Sequence, residues 1–181
     1  MIERAREAAG RGDWQQACDL LMQADAEGLA GPAELASLGE FAYAAGRLDV
    51  TIDAWERAHA ACVELGDRVA AAGAAVRVAM HLLFDSALMA PVRGWLARAE
   101  RLLEGQPDAP PHAWLAVVRA YERLLGGDLE GARPWARRAI ELGTALDPSA
   151  AAIGRVADAR LRILGGDVEQ GLALLDASGS P

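Results

Sequence analysis

Two histidines of this 181-residue chain stand at helical spacing from a side chain that could exchange a proton with them. His59 and Cys62 are three residues apart, and a Cys–His pair can form an activated thiolate. The residues around them are mostly Ala and Val, so we predict a buried, inert thiol. His81 and Asp85 are four residues apart, a spacing suited to acid–base work. An N-cap role for Asp85 explains the same residue without chemistry.

The remaining residues give no sign of a metal or of a nucleophile. Three scattered histidines, His112 included, lack the HExxH and CxxC spacings of metal sites. Cys18 stands alone like Cys62, so the two are not a disulfide framework. Without a single Lys, a P-loop is impossible. We predict no catalytic residue, no metal and no cofactor; enzymatic activity stays open, and a binding role is favoured.

Composition indicates what kind of elements must position these residues. The chain has 41 Ala and 24 Leu against 10 Val, 5 Ile and 2 Thr, and Ala and Leu are strong helix formers. A net charge of −8 disfavours a nucleic-acid surface, which needs clustered cations. We find no uninterrupted run of about 18 apolar residues in the sequence, so no membrane span is expected. The charged start of the chain does not resemble a signal peptide. We expect a cytoplasmic protein, and the absence of Lys and Asn is typical of a high-GC bacterial genome.

One phrase recurs along the chain: a glycine, a charged residue, an apolar residue and then a small residue. The glycines that begin it are Gly12, Gly46, Gly127 and Gly166, and a degenerate copy covers Ala87 to Val92. The small positions are 34, 81 and 39 residues apart, and 81 is close to two units of 40. A Gly–Asp pair ends one helix and caps the next. The repeat therefore predicts paired helices that pack through small residues.

This pattern resembles the tetratricopeptide (TPR) repeat, W-x2-L-G-x2-Y followed by A, an aromatic residue and A. Two units keep most of its positions: Leu35, Leu38, Gly39, Gly46, Trp55 and Ala58 in the second, and Trp114, Tyr121, Gly127, Ala132 and Ala139 in the fourth. The longer units near 40 residues resemble the TPR-like region of bacterial LuxR-type and MalT-like transcriptional regulators. Those regulators end in a helix-turn-helix, which this sequence lacks, so their DNA binding is not carried over.

We therefore predict an all-α fold, an α-solenoid of about five TPR-like antiparallel helix hairpins in a right-handed superhelix. A single domain spans 1–178, and 179–181 forms a flexible tail. The predicted repeats are about 1–28, 32–66, 67–105, 110–147 and 149–178. The predicted helices are 2–11, 13–27, 32–45, 48–65, 67–84, 88–104, 110–125, 129–146, 149–164 and 168–178.

The five tryptophans fall into two groups. Trp14, Trp55 and Trp114 occupy repeat positions that need a large apolar side chain, so we predict that they lie in the core. Trp95 and Trp135 are adjacent to such positions, and we predict that they are partly exposed. An aromatic box for a ligand is the alternative, although aromatic residues at helical spacing usually form core.

The resemblance implies that the first helix of each hairpin lines a concave surface that contacts a ligand or partner. The predicted contact residues are Glu40, Tyr43, Val78, His81, Arg119, Glu122, Arg123, Asp158 and Arg162. The arginines among them would form a positive spot suited to a peptide carboxylate or another anion. The alternative is ordinary i, i+3 and i, i+4 pairing on solvated helix faces.

The resemblance further implies a protein-interaction or sensor module that binds a peptide, a protein partner or its own copy. Such a module is part of, or related to, a LuxR-type regulator. The last helix carries apolar residues and no capping helix follows, so we predict pairing through the C-terminal repeat, including a homodimer. The alternative is a small-molecule-binding protein or an enzyme, with a pocket on the concave face near His81. We expect no direct contact with nucleic acid and no membrane.

Overall fold

The computed structural model describes residues 1–86 and 89–178, and this part of the chain is built from ten α-helices and one π-helical segment. The helices are α1 Ile2–Gly10, α2 Trp14–Ala26, α3 Pro32–Ala44, α4 Leu48–Glu64, α5 Arg68–His81, α6 Met89–Leu103, α7 Pro110–Leu125, α8 Leu129–Leu146, α9 Pro148–Leu164 and α10 Val168–Ser178. The π-helical segment Leu82–Ser86 follows α5 directly. The predicted tail 179–181, and Ala87 and Leu88 of the degenerate unit, lie outside the described residues.

The predicted all-α fold and all ten helices are confirmed, with bounds that differ by at most one residue except at the end of α5. The Gly–Asp pairs explain this accuracy. Gly12, with φ of 78°, lies between α1 and α2, and the Asp13 carboxylate accepts the Gln16 N–H at 3.1 Å. Asp128 caps α8 in the same way by accepting the Gly131 N–H at 2.9 Å.

Consecutive helices pack as hairpins, and each hairpin stacks on the next. The odd-numbered helices, which are the first helices of the hairpins, also contact each other where α7 packs against α5 and α9. The largest core cluster runs from α5 to α9 and contains many fully buried alanines. Small side chains let helix backbones approach closely, so the described helices form an array in which the first helices share one face.

The end of α5 differs from the prediction of a regular helix to residue 84. The α-helix ends at His81, and the π-helical segment continues it to Ser86, whose hydroxyl donates to the Leu82 carbonyl at 2.8 Å. A π-turn holds more residues than an α-turn and so rotates the side chains that follow, often at a functional site. Here Leu83 is buried, while Phe84 is 48% exposed.

The stretch Arg68–Ser86 is a long apolar helix at the centre of the array. It is 19 residues long with a hydropathy of 1.3, which is sufficient in length and composition for a membrane span. Half of that stretch is buried inside the structure, where it packs against α4, α6 and α7. Its central position in the array accounts for the composition.

The sequence predictions hold for both cysteines and for Trp55, Trp95 and Trp135, whereas Trp114, predicted to lie in the core, is only half-buried. Trp55 is 6% exposed, as a core residue should be, and both cysteine side chains are buried. Burial raises the pKa of each thiol, which makes the reactive thiolate scarcer. The prediction of a core position for Trp14 is wrong, because this ring is 39% exposed. Its hairpin has a described neighbour on one side only, and the ring lies against Phe41 with centroids 6.0 Å apart.

Candidate binding groove

A cavity of about 360 Å³ opens on the face that the first helices share. Its walls come from α3, α5 with the π-helical segment, α7 and α9. The lining residues of this aromatic cavity are Tyr43, Met80, His81, Phe84, Asp85, Tyr121, Ile153 and Arg160. Because all of them belong to first helices or to the π-helical segment, the cavity lies on the side predicted to be concave.

Two aromatic pairs supply half of the lining residues of this cavity. Tyr43 packs against His81 with ring centroids 4.5 Å apart and ring planes tilted by 47°, and Phe84 meets Tyr121 edge-to-face at 5.1 Å. Tyr43 and Phe84 are 50% and 48% exposed, whereas His81 and Tyr121 are buried. The π-helical segment presents Phe84 at the rim. The cavity therefore offers aromatic surface to an apolar group, and the buried rings hold the exposed ones in place.

Charge in the aromatic cavity is confined to its rim. Burial lowers the pKa of His81, the hydrogen bond to Asp85 opposes this, and the nearby charge of Arg77 adds to the lowering. His81 Nδ1 lies 3.3 Å from the Asp85 carboxylate, so the predicted pair is formed. Burial raises the pKa of Tyr121, so both rings are uncharged near neutral pH. Asp85 and Arg160 supply the rim charges, and Arg160 lies 5.6 Å from the centre of the Tyr121 ring.

The described lining of the aromatic cavity contains no Ser, Thr or Cys side chain that the His81 imidazole could activate as a nucleophile. Within the described ranges, no three His, Cys, Asp or Glu side chains are grouped in a way that could hold a metal ion.

A second cavity of about 220 Å³ lies one turn nearer the start of α5. We call it the Arg77 cavity, and its lining includes Glu40, Trp55, Gly73, Arg77, Pro111, Trp114 and Asp147. Arg77 and His81 are four residues apart on α5, about one helical turn. The two cavities are thus neighbours on one face, and together they form what we call the groove.

The groove contains three of the nine predicted contact residues. Glu40 lines the Arg77 cavity, while Tyr43 and His81 line the aromatic cavity. The prediction of Val78 as a contact residue is wrong. This side chain is fully buried in a core cluster with Leu35 and Trp55 and presents no surface to a ligand.

The three predicted contact residues on α7 are paired away from the groove. Arg119 Nε donates to Glu100 of α6 at 2.8 Å, and Glu122 accepts from Arg93 of α6 at 2.7 Å. Arg123 donates to Asp128 at 2.7 Å. These arginines line a separate cavity of about 320 Å³ in which each has a carboxylate partner. The geometry favours the alternative of ion pairing on helix faces over a positive spot.

The same holds for the last two predicted residues, Asp158 and Arg162. They pair with each other at 2.9 Å, and Arg162 also donates to Gln170 of α10 at 3.0 Å. The reason is helical phase. On α9 the groove contains Arg160, which is two residues from either predicted position, or about 200° around the helix.

The groove residues that the prediction missed carry a readable signal. Tyr121 follows Trp114 by seven residues, and Arg160 follows Ile153 by seven. Seven residues are about two helical turns, so both members of each pair lie on one face. That spacing shows which residues share a face of α7 and of α9, while the packing of the helices decides which face enters the groove.

Comparison with known proteins assigns the fold. No protein-family model and no curated protein matches this chain. Several solved structures resemble it, among them three repeat proteins. BtubC (BKLC) from P. vanneervenii has 17% identity and a TM-score of 0.72, covering 96% of this chain and 75% of that one. TTC0263, a thermophilic TPR protein in Thermus thermophilus, has 18% identity and a TM-score of 0.65, covering 98% and 87%.

The third is a Podospora anserina protein described as a putative kinesin light chain with nearly identical TPR-like repeats. It has 15% identity and a TM-score of 0.67, covering 98% of this chain and 90% of that one. Likeness at these identities establishes a shared fold. The chain is thus a helical-repeat protein of the TPR-like fold.

Proposed function

We propose that this chain is a protein-interaction module that holds a segment of a partner protein in the groove. The observation that carries the proposal is the aromatic cavity, where Tyr43 and Phe84 remain about half exposed on a concave surface. Burying an apolar side chain there removes aromatic and aliphatic surface from water on both partners. At about 25 cal/mol per Å², one well-buried side chain contributes about 1.5–3 kcal/mol.

The origin of the cavity supports a role for the array as a whole. Its lining comes from four successive hairpins, and a repeat array forms its inner surface only when neighbouring hairpins stack. A partner segment that spans several hairpins gains contacts with each of them. The groove is therefore better matched to an extended segment than to a single globular surface.

Selection from a displayed library of random dodecapeptides tests the proposal. Peptides selected on the wild-type chain are measured against Tyr43→Ala and Phe84→Ala by fluorescence anisotropy. The control is Val63→Ala, since Val63 is 49% exposed, much like the two aromatic residues, but lies on α4 outside the groove. Truncating an aromatic anchor typically costs more than 1 kcal/mol. We therefore expect affinity to fall about tenfold with either groove variant and to hold with the control.

Two results would count against the proposal. Selected peptides that bind the groove variants as tightly as the wild type would place the interaction surface elsewhere. A failure to select any peptide sensitive to the groove variants would leave the aromatic cavity without a protein ligand.

A small-molecule ligand is the second candidate, and the size of the aromatic cavity favours it. Ligand pockets commonly measure about 300–1,000 Å³, and this cavity holds about 360 Å³. Thermal-shift screening against a metabolite panel tests the idea, because a specific ligand raises the unfolding midpoint by mass action. The shift should vanish in Phe84→Ala and remain in Val63→Ala.

Three narrower parts of the function are proposals as well. A sensor role related to LuxR-type regulators is supported by the repeat phrases, and a helix-turn-helix in adjoining coding sequence would test it. A cytoplasmic location is supported by two unpaired cysteines, which fractionation of cells would test. The predicted homodimer through the C-terminal repeat stays a prediction, and light scattering over a concentration series checks it.

A further inference from the structure

Like Arg160, which lies over the single ring of Tyr121, Arg77 on α5 is a groove arginine without a carboxylate partner among the described residues, but Arg77 contacts two aromatic rings. Its guanidinium carbon lies 5.0 Å from the centre of the Trp114 ring and 5.9 Å from that of Trp55. In the described part of the chain, this guanidinium has no carboxylate within ion-pair distance and no hydrogen-bond partner. By contrast, Arg119 and Arg123 are each neutralised by a neighbouring carboxylate.

Both tryptophans that hold Arg77 are fixed by their own contacts. The Trp114 indole N–H donates to the Asp147 carboxylate at 2.7 Å. The Trp55 ring packs against the backbone of α3 at Gly39, where a side chain would collide with it. The guanidinium is thus held by two rigid rings. Stacking on aromatic faces leaves the N–H donors at its edge available to a ligand.

The other charges around the Arg77 cavity limit what that ligand can be. The Asp147 carboxylate accepts from Trp114 and from the backbone N–H groups of Ser149 and Ala150, so its oxygens are engaged. Glu40 lies at the rim and is exposed. A doubly charged phosphate would meet both carboxylates, whereas a singly charged carboxylate is repelled less and matches the planar guanidinium.

We propose that Arg77 is a carboxylate-binding subsite of the groove and that the bound partner segment carries an Asp or Glu side chain there. This inference rests on the proposed function and names the partner chemistry. The Arg77 cavity and the aromatic cavity are about one helical turn apart on α5. A segment with an acidic residue near its apolar anchor reaches both.

Nuclear magnetic resonance of the full chain tests the subsite without knowledge of the partner. The Trp114 indole N–H and the Arg77 Nε–H are followed while N-acetyl-glutamate methylamide is added, a probe whose one carboxylate is on the side chain. The neutral probe is N-acetyl-glutamine methylamide, which has no carboxylate. The third probe is N-acetyl-glutamine, whose one carboxylate is at the terminus. We expect a saturable shift with the glutamate probe and none with the neutral one.

Substitution then assigns the shift to Arg77. Arg77→Gln should lower the affinity for the glutamate probe at least about tenfold. Arg77→Lys keeps the charge but not the planar set of N–H donors, so it should lower the affinity less. The control is Arg98→Gln, because Arg98 stacks 4.5 Å over Trp95 on α6, outside the groove. Circular dichroism verifies that each variant is folded, and if Arg77→Gln is not, Arg77→Lys alone decides.

The outcomes separate this inference from the proposed function. No saturable shift, an equal shift with the neutral probe, or an equal loss in Arg98→Gln would overturn the subsite. A shift with the terminal carboxylate alone would overturn the side-chain assignment. If selected peptides bind through Phe84 but are indifferent to Arg77→Gln, the subsite is wrong and the interaction module stands. If no peptide binds the groove, a shift with the glutamate probe still supports the subsite.

Discussion

Gly39 gives a sharp test of the packing that shapes the groove, because its position in α3 leaves no room for a side chain. A methyl group there would lie 2.5 Å from Trp55 Nε1 and 2.7 Å from Trp55 Cε2. Trp55 is 6% exposed, so its ring cannot move without displacing its neighbours. Overpacking a filled core typically costs about 1–3 kcal/mol. A Gly→Ala change inside a helix gains about 1 kcal/mol in propensity.

The matched control is Gly94 in α6, where an added methyl group meets nothing within 4 Å. Both Gly→Ala variants receive the same gain in helix propensity, so the difference between them isolates the steric cost. We expect Gly94→Ala to be more stable than the wild type by about 1 kcal/mol. Gly39→Ala should be about 1–3 kcal/mol less stable than Gly94→Ala.

Urea denaturation followed by circular dichroism and tryptophan fluorescence measures both variants. In thermal unfolding, 1 kcal/mol moves the midpoint by about 2–4 °C for a chain of this size, so the two midpoints should differ by roughly 2–12 °C. If Gly39→Ala proves as stable as Gly94→Ala, the Trp55 ring does not lie tightly against α3. The rigid support that we infer for Arg77 would then be wrong as well.

Three further outcomes follow from the charged groups. Burial lowers the pKa of His81 in the folded chain below the value of 6.5. As the pH drops below 6.5, the unfolded chain therefore binds a proton before the folded chain does, and the free energy of unfolding should fall. The fall should end once the pH is below the folded pKa. Thermal melts over a pH series should show a smaller fall in His81→Gln; an equal fall would contradict the assignment. Asp25→Asn removes the charge and one of the two carboxylate oxygens that accept from Arg57 at 2.6 and 2.7 Å. Since this pair is partly exposed, urea titration should show a loss of about 0.5–1 kcal/mol that shrinks in high salt. Glu122→Gln weakens the contact with Arg93 while the side chain stays 3% exposed, so the loss should be about 1–3 kcal/mol; no loss would show that this buried charge is dispensable.

The sequence predicts the helices of this chain well because local chemistry sets their ends. Asp13 and Asp128 each cap a helix with a side chain that lies next to the terminus in sequence. The repeat spacing then identifies which helices form pairs. None of these features depends on contacts between distant residues, so a single sequence contains enough information to place them.

Helical phase and irregular turns are harder to predict, and they decide the groove. The face of α9 that enters the groove depends on how α9 packs on α7 and α8, and an assumed phase that is off by two residues selects Asp158 and Arg162 instead of Arg160. The π-helical segment has no local signature, yet it places Phe84 at the rim of the aromatic cavity. Trp14 shows the same limit, since its repeat position predicts burial although its ring is 39% exposed.

The distribution of side-chain size ties the fold to the proposed site. Alanines occupy much of the space between the helices, and many of them are fully buried. Five of the nine aromatic residues line the groove: Tyr43, Trp55, Phe84, Trp114 and Tyr121. Trp55 and Tyr121 are buried beneath it, while Tyr43 and Phe84 are about half exposed. A half-exposed ring gains from being covered, so an alanine-rich core with an aromatic inner face is the arrangement expected of a scaffold that a partner segment completes.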